Sequence, residues 1–128
     1  EFLLFVPTTD VTSNNPGTSE QFRTLRVPTG IVTSAIVNLS IENSGSAVIF
    51  GVLLTASDTT NTVPSIISGF MTVGGAISSV GGSRYMSGQA IVRANTSGSI
   101  RTRASASDAS CTFWISTIGW IDTRGRFA

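Results

Sequence analysis

Three flat aromatic side chains with a polar edge, Tyr85, Trp114 and Trp120, and two arginines two residues apart, Arg101 and Arg103, are the groups here best able to recognise a ligand. The rings suit stacking on the apolar C–H face of a sugar, and neighbouring Ser, Thr, Asn and Arg side chains suit its hydroxyls. Arg101 and Arg103 alternate with Ile100, Thr102 and Ala104, which sets both guanidiniums on one outward strand face. As forked donors they fit an acidic or hydroxylated glycan; the same spacing equally gives a solvated face or a salt bridge to another subunit.

Other chemistry is narrowed by what is missing. The chain has no His and no Lys, so it lacks the commonest general base, the commonest nitrogen metal ligand and any amine nucleophile. A serine triad would have no base, and one cysteine cannot supply a tetrahedral zinc set. Glycoside hydrolysis would need two of Glu20, Glu42, Asp58, Asp108 and Asp122 to meet at about 5 Å or about 6.5–9.5 Å, and no local spacing brings any two together. Asp58-Thr59-Thr60-Asn61 offers oxygen ligands but lacks the glycine and terminal glutamate of a calcium loop, so Asp58 is expected in an Asx turn. The pairs Gly74-Gly75 and Gly81-Gly82 do not open a helix and read as bends, not phosphate cradles. The expectation is a chain with no catalytic residue, no metal and no cofactor: a binding or assembly domain and not an enzyme.

Composition points the same way. Of 128 residues, 41% are hydrophobic, only 12% are charged, and Ser and Thr supply 36. Such a surface hydrogen-bonds densely to itself, to another subunit or to a neutral hydroxyl-rich ligand, but steers little at long range. Eight arginines and seven acids, net +1, form no run of like charge, which argues against nucleic acid. No apolar stretch reaches the roughly 20 residues of a membrane-crossing helix, so no membrane insertion is expected. Cys111 has no partner for an internal disulfide and reads as a small buried apolar residue. A start at Glu1, with neither Met nor a basic leader, is expected of a fragment or a processed product.

The elements that must position these groups are strands. In "IVTSAIVNLSI", Ile31, Thr33, Ala35, Val37, Leu39 and Ile41 form one face, while Ser34, Asn38 and Ser40 fall on the other. "AVIFGVLLTA" is nearly continuous and reads as a strand covered on both faces. "VPSIISGFMTV" is a broken strand region; "YMSGQAIVRAN", "SIRTRASA" and "CTFWISTIGWID" give three more strands. No window has helical periodicity. The fold expected is all-β, an antiparallel β-sandwich or jelly roll of about eight or more strands. An N-terminal strand and linker would occupy residues 1–25 and the sandwich residues 26–128.

Strict alternation along the last strand sends Cys111, Phe113, Ile115 and Ile121 one way and Trp114, Ile118 and Trp120 the other. One face meets the core; the other needs a cover, either a loop of the same chain or a neighbouring subunit. Large apolar patches are rare on monomers, which favours the subunit. Trp114, Ile118 and Trp120 are therefore interface candidates. Asp122, with Arg124 or Arg126, can form charge-assisted bonds that pin the strand's exit to a neighbour.

"NTSGSIRTRASASD" and "TIGWIDTRGR" together resemble the C-terminal region of bacteriophage tailspike and tail-fibre proteins, over about residues 26–126. The resemblance implies a small jelly roll closing a trimeric spike on the virion tail, made in the host cytoplasm and acting outside the cell. It further implies roles in trimer assembly, stability and attachment to host surface polysaccharide or lipopolysaccharide, with any depolymerase carboxylates in an upstream domain. The alternative on the same residues is a monomeric carbohydrate-binding module of a secreted protein.

Overall fold

The computed structural model describes residues 2–44, 49–58, 76–77 and 84–122. Among them there is no helix. In chain order the strands are β1 (Phe2–Asn14), β2 (Gln21–Thr24), β3 (Thr33–Asn43), β4 (Ile49–Phe50), β5 (Val52–Thr55), β6 (Ala76–Ile77), β7 (Arg84–Ala94), β8 (Ser99–Ala104) and β9 (Cys111–Ile121). Seven of them build two antiparallel sheets, β1-β9-β3-β7 and β2-β8-β5, while β4 and β6 form a separate two-residue pair. The region around "VPSIISGFMTV" lies outside the described residues.

The pairings nest. β1 pairs with β9, β2 with β8 and β3 with β7, so the chain runs out and back as one long ribbon. Successive rungs fall on alternate sheets, and the ladders β3·β9 and β5·β8 join the rungs within each sheet. Residues 2–24 thus supply an edge strand to each sheet.

The alternation in β3 is realised: Ala35, Val37, Leu39 and Ile41 are fully buried and their outward neighbours are polar apart from Ile36. They pack with Phe113 and Ile115 of β9 against Phe50, Val52, Leu54 and Ile100. In its described part, residues 49–56, the apolar run is not one strand covered on both sides. It breaks at Gly51, whose N–H donates to Ser105 Oγ at 2.9 Å and whose carbonyl accepts from the Ser105 N–H at 2.9 Å. Beyond the break, Val52 and Leu54 face the core while Leu53 is only half-buried.

The chain crosses between sheets at the tight turn from β7 to β8. Asn95 Oδ1 accepts the N–H groups of Ser97 and Ser99, an Asx turn that organises its own backbone. Gly98 closes it at φ 74°, where a side chain would be strained.

One register detail reverses an expectation. Ile36 lies opposite Gly119 but Val37 lies opposite Thr117, so Ile118 is an extra residue, a β-bulge in β9. Past it every side chain changes side. Trp120 stands opposite Ala35 and packs on the core, whereas Ile121, opposite Ser34, points outward. Trp114 and Trp120 therefore do not share a face.

Cys111 is fully buried, and burial pushes its thiol up to about 11 from an ordinary value of 9.0. Iodoacetamide is expected to leave it unlabelled in the folded protein near neutrality and to label it on unfolding, as read by mass spectrometry. The folded thiol keeps its proton longer than the unfolded one. Its contribution to stability is therefore full below pH 9 and is lost as pH rises from about 9 towards 11.

Candidate functional site

The outer face of the β1-β9-β3-β7 sheet is set by register. Trp114 of β9 lies opposite Thr12 of β1 and Ser40 of β3, and Ser40 lies opposite Ser87 of β7. One pair further along, Glu42 of β3 stands between Thr112 of β9 and Tyr85 of β7. Tyr85 and Trp114 are thus two strand spacings apart, about 9.5 Å, and one pair out of line along the strands. Between them is a shallow cleft of about 220 Å³ lined by the two rings with Ser40, Ile41, Met86 and Ser87. Tyr85 is 68% exposed and Trp114 half-buried, so both rings offer a surface to solvent.

This arrangement can take a flat molecule with apolar faces and hydroxyl edges. The two rings present C–H-binding surfaces, and the Ser40 and Ser87 hydroxyls can each donate and accept. No charge is needed for either contact. Ser40, Ser87 and Glu42 are the members of this site that the sequence did not single out. Their signal is the period of two through "NLSIE" and "YMSGQ", which puts each on the face of the aromatic ring across the sheet.

Away from the cleft, the same face has two further zones. A row of one residue per strand, Thr9, Ser116, Asn38 and Gln89, is uncharged and polar, with Thr9 Oγ1 and Ser116 Oγ 3.2 Å apart. Next to it Ile36, Ile91 and, one step on, Ile121 make an apolar zone in which Ile91 is 57% exposed.

The remaining candidates go elsewhere. Trp120 packs against the core. Ile118 is the bulge residue, and Asp122 follows the end of β9 and is half-buried. Arg124 lies outside the described residues, and with it the expected Asp122–Arg124 pairing. Arg101 and Arg103 share the outer face of the other sheet, as alternation predicts, but Arg101 is 8% exposed and engaged. Its Nε lies 2.9 Å from Glu20 Oε2, its guanidinium donates to the Ser57 carbonyl at 2.8 Å, and it sits 5.8 Å from the Phe22 ring centroid. Arg103 donates to the Thr18 carbonyl at 2.9 Å. These contacts fasten the loop before β2 and the end of β5 to β8, a structural use of both arginines.

In this pair Arg101 is buried and Glu20 exposed, so removing the acid leaves a buried guanidinium without its counter-charge. Glu20→Gln is expected to lower stability by about 1–2 kcal/mol, less than a fully buried pair because water still reaches the carboxylate. A lower urea midpoint at unchanged slope checks this.

The acids are dispersed. Asp58 pairs with Arg93, whose hydrogen bond holds the Asp58 carboxyl below its ordinary range, but both side chains are exposed and the pair adds little. Asp10 Oδ2 accepts from Thr117 Oγ1 and from the Arg26 N–H, and Asp108 caps the turn before β9 through the Ser110 N–H. Among the described residues no three His, Cys, Asp or Glu side chains converge on a metal-sized space. Among them, too, no helix is long and apolar enough to cross a membrane. No protein-family model matches the chain, and no curated protein is similar to it in sequence.

Proposed function

We propose that this chain is the non-enzymatic assembly and attachment domain of a phage tailspike or tail fibre, a trimer that holds host surface polysaccharide on the virion tail. The observation that carries the attachment half is the cleft between Tyr85 and Trp114 over Ser40 and Ser87. Its two rings and two hydroxyls are groups suited to hydroxylated rings. A jelly roll is the finer reading of the fold, supported by the nested ladders and by rungs that alternate between sheets.

The assembly half is supported by Ile91 and Ile121 on the outer face, an apolar zone that a neighbouring subunit would cover. Sedimentation of the chain at micromolar concentration is expected to give a trimer, and Ile91→Glu a monomer. A wild-type monomer would overturn this half. The second reading keeps the same cleft and drops the trimer: a monomeric carbohydrate-binding module of a secreted protein. Sugar binding that persists in a monomer would select it.

A further inference from the structure

The attachment reading leaves the class of glycan open, and the charge distribution around the cleft narrows it. The two arginines that would grip carboxylates, Arg101 and Arg103, belong to the β2-β8-β5 sheet, on the far side of the core from Tyr85 and Trp114, and are held by Glu20, Ser57 and Thr18. The ionisable group in register with the cleft is an acid, Glu42, directly opposite Tyr85. Arg84, next to Tyr85 in sequence, points to the opposite side of the sheet by alternation. Arg93 shares the outer face but lies four pairs from Tyr85 along β7 and is paired with Asp58.

The cleft is not an isolated pocket. Its floor, Ser40 and Ser87, continues into the neighbouring row Thr9, Ser116, Asn38 and Gln89, which crosses all four strands. Three strand spacings make this row about 14 Å long. It presents hydroxyls and amides, which both donate and accept and so match sugar hydroxyls in either sense. A carboxylated glycan laid there would meet Glu42 and, among the described residues, no facing guanidinium.

Resting on the attachment reading, we propose that the ligand of this face is an uncharged polysaccharide running across the strands. One ring is stacked between Tyr85 and Trp114, and adjoining units lie on the polar row. Glu42 accepts hydrogen bonds from its hydroxyls and turns acidic repeats away.

The test is binding of the 128-residue chain to an array of bacterial surface polysaccharides with neutral and acidic repeats, at low and high salt. Neutral repeats are expected to bind with little salt dependence. Their affinity should fall at least about tenfold in Tyr85→Ala and in Trp114→Ala, with partial recovery in Trp114→Phe. Arg103→Gln should leave it within about twofold, and Glu42→Gln should improve binding of acidic repeats by about fivefold, the size of an exposed charge pair. Urea midpoints of each variant separate lost binding from lost folding. Salt-sensitive binding of acidic repeats that depends on Arg101 or Arg103 would overturn this inference and leave attachment standing. Binding of no polysaccharide at all would overturn the attachment reading itself.

Discussion

Joint deletion of Ile118 and Gly119 is expected to turn Trp120 out of the core, red-shift the tryptophan emission and lower stability by about 2–4 kcal/mol. The bulge is what lets two apolar stretches of β9 face the same way: Phe113, Ile115 and Thr117 before it and Trp120 after it all stand opposite core-facing residues of β3. Deleting Ile118 alone closes the ladder into strict register with Trp120 still opposite Ala35, whereas deleting Gly119 as well moves the end of β9 by one position. Ile121 would then fall opposite Ala35 and Trp120 opposite Ile36. An isoleucine does not fill the space of an indole, so the core would keep a void, and the indole would be left in water. Fluorescence reports the change directly, because Trp114 is already partly solvated and Trp120 is the tryptophan packed on the core. Unchanged emission and an unchanged urea midpoint in the double deletion would show that register with β3 does not place Trp120 in the core.

Phe113→Ala is expected to cost about 3–5 kcal/mol, a fall in Tm of roughly 10–20 °C for a chain of this size. Phe113 is 1% exposed and lies opposite Ile41 at the centre of the sandwich. Its ring also carries a second load. The Arg23 guanidinium sits 5.5 Å from the ring centroid, with Nε donating to Thr102 Oγ1 at 3.2 Å and the terminal nitrogen to Ser13 Oγ at 3.3 Å. Arg23 thereby ties β2 to β8 and to β1 across the edge of the core, and burial holds its guanidinium below the ordinary range. Removing the ring takes away both apolar volume and the face on which the cation rests. Phe113→Leu, which keeps much of the volume but loses the π-face, should cost less; calorimetry on the two variants separates packing from the cation contact. Equal costs for Ala and Leu would show that cavity volume is not the dominant loss.

Much of this could be read before any coordinates. The period of two through Thr33–Asn43 determines which residues are core, because a strand exposed on one face allows no other arrangement. The paired positions of Arg101 and Arg103 were legible for the same reason. Their partners were not: Glu20 is far away in sequence, and only the β2·β8 ladder brings it to Arg101. The bulge was hidden by composition. Residues 113–121 are apolar enough to satisfy either register, so alternation had nothing to decide between them. Gly119, a lone glycine inside an apolar strand, was the available hint, since such a residue often marks a bulge. The cleft was half legible: Tyr85 and Trp114 stand out as residue types, but their meeting across β3 depends on two registers that no local spacing encodes.

The nesting of the ladders also bears on how the chain reaches this state. β9 is the last strand described, yet it occupies an inner position of its sheet, hydrogen-bonded to β1 on one side and β3 on the other. Until residues 111–121 have left the ribosome, β1 and β3 each present an open edge and the core lacks Phe113 and Ile115. Nearly all pairing is between distant parts of the chain, which makes folding slow as well as late. A chain cut short before β9 is consequently a different hazard from one cut at a loop: β1 is left without a partner and the β3-β7 pair keeps an open edge, prone to join other copies, so the arrival of β9 is the step that commits the molecule to its own fold.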